Sequence, residues 1–317
     1  MKKLVFLAAA LFNFSLFFAQ EIRVGVLNGP SCIPAAYMME NNKNINGSDV
    51  YFEKFADPQT LLPKLLKKEI DVGFLPVNVA AKVYNSSNKS IICCGITGNG
   101  NLSLITKDKK IKSLSDLKGK TVNIAGQGAT PEYIFRQLLE ENKLEADTDS
   151  GVKLDFSIPT AQIPSQLISG KISYAVVPEP FASIAQLKSK DVIAAVDLQK
   201  DEYEVFYSDT FPLTVMVVRK EFAEENEELL DSFLYRYKKS FEYTVKNPKA
   251  AGRLCEKYDL GLEAGVVAAA IPKSNYVFIP AKDGKNKIEA LLNIFMKNQS
   301  ESIGKKLPGD DFYYKYQ

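Results

Sequence analysis

Residues 65–80 read LLKKEIDVGFLPVNVA, and residues 167–182 read LISGKISYAVVPEPFA. Aligned without a gap, Leu65 falls on Leu167, Ile70 on Ile172, Pro76 on Pro178 and Ala80 on Ala182. Each copy reads as the end of a polar-faced helix, a tight turn, an apolar strand and a proline that opens the next helix. A strand that runs into a helix start leaves backbone N–H groups pointing past the sheet edge. Two such edges imply two α/β lobes that face each other across a cleft.

The likeness extends upstream. IRVGVLNGP (22–30) and VNIAGQGATP (122–131) are each a strand, a Gly-rich turn and the start of a helix. Val24 to Ile70 and Ile124 to Ile172 are separations that agree to within two residues. A single doubly wound domain would also string similar βα units together. The Gly-rich opening at the same place in both halves favours two lobes.

Working outward, Asp57-Pro58 reads as a helix start with Asp as the cap. Residues 90–97 and 102–106 read as strands joined by Gly98-Asn99-Gly100-Asn101, residues suited to left-handed turns. Residues 107–112 read as a charged hinge, and TVMVVR (214–219) as the return crossing. Residues 221–246 place Phe222, Leu229, Leu230, Phe233, Leu234, Tyr237 and Phe241 at spacings of three and four, one long amphipathic helix. This gives a signal segment at 1–20, a discontinuous first lobe at 21–106 plus 215–317, and a second lobe at 107–214, with the C-terminal helices backing the first lobe.

The N-terminus has Lys2-Lys3, an apolar run at 4–11 and Ala19 before Glu21, the pattern of a secretory signal peptide. That run is shorter than the roughly 20 residues a membrane span needs. Left uncleaved, it would act as an N-terminal anchor; cleaved, it predicts a periplasmic or otherwise exported soluble protein. Without Lys2 and Lys3 the chain has 38 basic and 38 acidic residues, which argues against nucleic acid as a partner.

Histidine is absent, which removes Ser-His-Asp and Cys-His nucleophilic chemistry and lowers the expectation of an enzyme. Cys32, Cys93, Cys94 and Cys255 lack zinc-site spacing and read as buried thiols. No metal and no cofactor is expected.

The blocks IRVGVLNGP (22–30), KKEIDVGFLPVNVA (67–80), SLSDLKGKTVNIAGQGATPEY (113–133) and LISGKISYAVVPEPFASIA (167–185) resemble those of ABC-importer substrate-binding proteins of the nitrate-, sulfonate/taurine- and thiamine-pyrimidine-precursor-binding type. VVRKEFAEENEELLDSFL (217–234) and GKKLPGDDFYY (304–314) fit as well. The resemblance covers nearly all of the chain after the signal segment. It implies a two-lobe, type II periplasmic-binding-protein-like α/β fold, each lobe a mixed sheet flanked by helices, with one small molecule held in the cleft. It also implies lobe closure and delivery to a membrane permease and ATPase, by a monomer. An enzyme on the same fold is an alternative, but the pyrimidine-synthase type depends on a histidine; a sensing module is another.

Ligands of such a fold touch the strand-to-helix turns. The expected ligand-binding residues are Asn28, Ser31, Asn78 and Asn101 in the first lobe, and Gly128, Thr130, Glu179 and Phe181 in the second. Glu179 would accept hydrogen bonds from an amine or a nitrogen heterocycle. A sulfonate or other small anion would rely on backbone N–H groups at 31–33 and 129–130. Tyr37, Tyr133 and Phe181 are the aromatic candidates for stacking, since Trp is absent.

Overall fold

A computed structural model describes residues 21–199 and 210–316. The signal-segment reading at 1–20 lies outside the described residues. Among the described residues no helix is long and apolar enough to cross a membrane.

The first half builds β1 (Glu21–Leu27), α1 (Ala36–Asn41), β2 (Asn44–Ile45), β3 (Ser48–Phe55), α2 (Pro58–Leu66), β4 (Val72–Pro76), α3 (Val77–Ser86) and β5 (Ile91–Asn99). The second runs through β6 (Leu102–Thr106), β7 (Thr121–Ile124), α4 (Thr130–Glu141), β8 (Lys153–Asp155), α5 (Ile163–Ile168), β9 (Tyr174–Pro178), α6 (Phe181–Lys188) and β10 (Ile193–Asp197). The chain then returns through β11 (Pro212–Arg219), α7 (Lys220–Glu225), α8 (Glu227–Lys246), α9 (Pro248–Lys257), α10 (Ala264–Ala270), β12 (Tyr276–Pro280) and α11 (Ala281–Gln299). Two mixed sheets result, ordered β12-β5-β11-β4-β1-β3-β2 and β10-β6-β9-β7-β8.

The duplicated stretch folds the same way twice. After α2 the N–H of Glu69 bonds to Lys64 O and that of Lys68 to Leu65 O; after α5, Lys171 N bonds to Gln166 O and Gly170 N to Leu167 O. This is a Schellman closure, which needs a left-handed residue. Lys68 (φ 63°) and Gly170 (φ 77°) occupy that place in the two copies. The strands that follow also have matching neighbours. β4 lies between parallel β1 and antiparallel β11, and β9 between parallel β7 and antiparallel β6. The registers Gly25↔Gly73 and Asn123↔Ala175 make Val122, not Ile124, the counterpart of Val24.

Several boundaries differ from the sequence reading. Leu102–Thr106, expected in the first lobe, pairs with β9 and β10 and belongs to the second sheet. The chain therefore crosses at 99–101, not at 107–112. That charged stretch is tied into the second sheet region instead, with Tyr174 donating to Asp108 at 3.0 Å and Ile111 buried. Sequence character cannot separate the two assignments, because β6 is an apolar strand in either sheet. None of Gly98, Asn99, Gly100 or Asn101 is left-handed; Gly98 and Asn99 continue β5, and all four are buried.

The long C-terminal helix is broken at Asn226 into α7 and α8. α8 buries Leu230, Phe233 and Tyr237 with β1 side chains Ile22, Val24 and Val26, so it does back the first sheet. α11 differs, because it also reaches the second half: Lys297 pairs with Glu140 at 2.6 Å and Tyr133 donates to Gln299. β12, not expected from the sequence, pairs antiparallel with β5. All four cysteines are free and buried; burial pushes the Cys93 thiol up to about 12.

Candidate functional site

In both sheets the parallel strands end toward a common cavity of about 340 Å³. Leu27 and Asn28 at the end of β1, and Pro76 at the end of β4, line one side. Pro178 and Glu179 after β9, with Ala129 and Thr130 at the start of α4, line the other. Carboxyl ends of parallel strands are where open α/β sheets leave room for a ligand.

Four α-helices begin around this cavity; α2, α4 and α6 have a carboxylate at the N-terminus, whereas α3, which starts beyond Pro76, has none, and neither has the short 3-10 helix Pro30–Ala35. Asp57 caps α2, its Oδ1 accepting from Thr60 N at 2.9 Å. Glu132, in the first turn of α4, accepts from Gly128 N at 2.7 Å and pairs with Arg136 at 2.8 Å. Glu179 precedes α6 and accepts from Ser183 N at 3.1 Å. Acidic caps neutralise the positive end of the helix dipole and occupy N–H groups that an anion would need.

Glu179 is 2% exposed, and burial raises its pKa from the ordinary value of 4.5. The bonds from Ser183 and the charge of Lys273 act the other way. Among the described residues lining the cavity, none is lysine or arginine. The lining adds further acceptors: Asn99 Oδ1 and Asn101 Oδ1 are buried with no hydrogen-bond partner among the described residues. Thr97 Oγ1 donates to Thr214 O at 3.3 Å, and Tyr276 OH donates to Pro30 O at 2.8 Å.

Of the residues expected at the site, Asn28, Ser31, Asn101, Thr130 and Glu179 line this cavity. Asn78, Gly128 and Phe181 do not. Asn78 is buried in the first turn of α3. Gly128 (φ 72°) turns its N–H back to Glu132. Phe181 leans on the cluster that includes Ile163 and Val177. The stacking candidates are also elsewhere, with Tyr37 stacked on Tyr243 at 4.0 Å and Tyr133 packed at a tilt against Phe295 at 4.9 Å. Tyr276 is the aromatic side chain at the cavity among the described residues.

The sequence reading missed Asp57, Thr214, Ser274 and Tyr276 as lining residues. Asp57 was legible as a cap, and position after β3 was the signal that it faces the same edge. Ser274 and Tyr276 come from β12 and the turn before it, which carry no motif. Among the described residues no group of His, Cys, Asp and Glu is arranged to hold a metal ion.

The fold is shared with solved transport proteins. An ABC transporter protein from Parabacteroides distasonis is 25% identical, with a TM-score of 0.79 over 94% of this chain and 100% of its own. The periplasmic aliphatic sulphonate-binding protein of Escherichia coli is 17% identical, with a TM-score of 0.73 over 94% and 93%. The periplasmic nitrate-binding protein of Synechocystis PCC 6803 is 12% identical, with a TM-score of 0.65 over 93% and 87%. These are named for transport and binding, not for a reaction, and all share the two-lobe architecture. No curated protein sequence matches the chain. Residues 19–253 match the model of the NMT1-like family, and the chain belongs to that family.

Proposed function

We propose that this protein is an exported solute-binding receptor that closes two lobes around a small amine or nitrogen heterocycle and delivers it to the permease and ATPase of an ABC importer. The observation that carries the choice of ligand is the buried carboxylate of Glu179 in a cavity that has no cationic side chain among its described lining residues. A buried carboxylate is stabilised by a cation or by N–H donors that replace its lost water. The carboxylate caps on α2, α4 and α6 weigh against a sulfonate or nitrate held at those three helix N-termini. Export rests on the signal-like segment at 1–20, and the importer partners rest on the likeness to transport proteins.

Thermal-shift titration with amines and aminopyrimidines, beside methanesulfonate and nitrate, tests this. Stabilisation by the nitrogen bases, lost in Glu179→Gln, is expected. Stabilisation by the anions alone would overturn the ligand class, and a robust turnover assay with no stabilising ligand would overturn the receptor.

A further inference from the structure

The chain crosses from the first sheet to the second through Asn99, Gly100 and Asn101. The backbone of this crossing is held on every side. Asn99 N donates to Asn275 O at 3.1 Å, Gly100 N to Phe211 O at 2.6 Å, and Asn275 Nδ2 to Gly100 O at 2.6 Å. Asn101 O accepts the N–H of Glu179 at 3.1 Å. The two side chains that flank this clamp are treated differently. Asn99 is 5% and Asn101 8% exposed; both line the cavity, and the amide oxygen of each has no hydrogen-bond partner among the described residues. Asn101 Nδ2 makes one long contact to Ser274 O at 3.5 Å.

Buried amide oxygens are nearly always paired in folded proteins, and leaving one unpaired destabilises the fold. Two unpaired acceptors beside a buried carboxylate form an acceptor triad with one member on the last residue of β5, one on the residue before β6, and one just beyond β9. We infer that Asn99 and Asn101 are the specificity-determining pair of this site: they select ligands that present several N–H donors, such as amidines or amino-substituted aromatic bases, over amines that have charge without donors. A ligand engaging both asparagines touches the two sheets at their crossing, so ligand recognition and lobe position are set by the same contacts. This rests on the receptor reading above and narrows it from positive charge to donor pattern.

A matched pair of cations separates the two ideas. 4-Aminopyridine and 4-dimethylaminopyridine are both protonated at neutral pH and differ in the exocyclic N–H donors. The full chain is titrated with each while its Tm is followed, in the wild type and in Asn99→Leu, Asn101→Leu and the acceptor-retaining Asn99→Asp. The wild type is expected to be stabilised at least tenfold more effectively by 4-aminopyridine. Both leucine variants should lose that preference while their ligand-free Tm stays equal to or above wild type, because an unpaired buried acceptor has been removed. Asn99→Asp should keep the preference. Equal stabilisation of the wild type by the two cations would overturn the role of the asparagines and leave the cation reading standing. No shift with either would overturn the cation reading and this inference with it. Leucine variants that lose several degrees of ligand-free Tm yet keep the preference would show the asparagines to be structural.

Discussion

The backbone N–H of Glu179 donates to the carbonyl of Asn101 at 3.1 Å, which fixes the buried carboxylate of the second half against the point where the chain leaves the first. One hydrogen bond thus joins a duplicated element, the Pro178 edge, to the crossing between the sheets. It explains why Glu179, from the turn after β9, and Asn101, from the crossing, line the same cavity.

Glu179→Gln is expected to weaken binding of a cationic nitrogen base by about 10- to 100-fold, the range for losing a charge-assisted hydrogen bond of about 1.5–3 kcal/mol. Isothermal titration against 4-aminopyridine measures it. The pH dependence follows from the raised pKa of Glu179 in the free protein. A cation pairs with the ionised carboxylate, so binding releases a proton and affinity rises with pH, levelling above the raised pKa of the free protein. In the ligand-free protein the sign is opposite: the stability contributed by neutral Glu179 is present at low pH and lost as pH rises from the ordinary value of 4.5 through the raised one. Both slopes should vanish in the glutamine variant.

Gly100→Ala tests the clamp at the crossing. A Cβ there would stand 2.6–2.9 Å from three carbons of the Phe211 ring. Overpacking of this kind destabilises by about 1–3 kcal/mol. Urea unfolding should show the loss, and the double variant with Phe211→Leu should recover part of it.

Asp71 is 1% exposed and accepts from Arg23 on β1 and Arg219 on β11, at 2.9 Å and 2.6 Å. It stands just before β4, so one carboxylate ties three neighbouring strands. Asp71→Ala leaves two guanidinium groups without that partner and should destabilise by about 3–5 kcal/mol in chemical denaturation. Ligand selectivity, measured on the folded fraction, should be unchanged.

Glu132→Ala removes the carboxylate from the α4 N-terminus and releases Gly128 N. A loss of about 1 kcal/mol of stability is expected. Methanesulfonate, expected to leave the wild-type Tm unmoved, should gain a measurable stabilising effect in this variant, because the helix end is then open to an anion.

The duplicated stretch was legible in the sequence because it combines signals with local physical causes. Gly170 announces a left-handed closure, Pro76 and Pro178 mark the strand ends, and Asp57 announces a cap. The crossing was not. Glycines and asparagines read as a left-handed turn, but here Gly100 answers to the close approach of Phe211, a residue far along the chain. The same holds for the cavity lining: Asn28, Thr130 and Glu179 sit on motifs, whereas Ser274 and Tyr276 arrive through β12, whose pairing with β5 is a long-range choice. Phe181 and Tyr133 lie off the cavity lining for one reason, that an aromatic on a helix is drawn to the nearest apolar cluster.

Native mass spectrometry of the protein purified from its exported form, followed by identification of the small molecule it retains, addresses the ligand class without any choice of probe. A nitrogen base with several N–H donors, small enough for a cavity of about 340 Å³, is the expected result. A retained sulfonate, nitrate or other anion without a basic nitrogen would contradict the role given to Glu179 and its neighbouring asparagines.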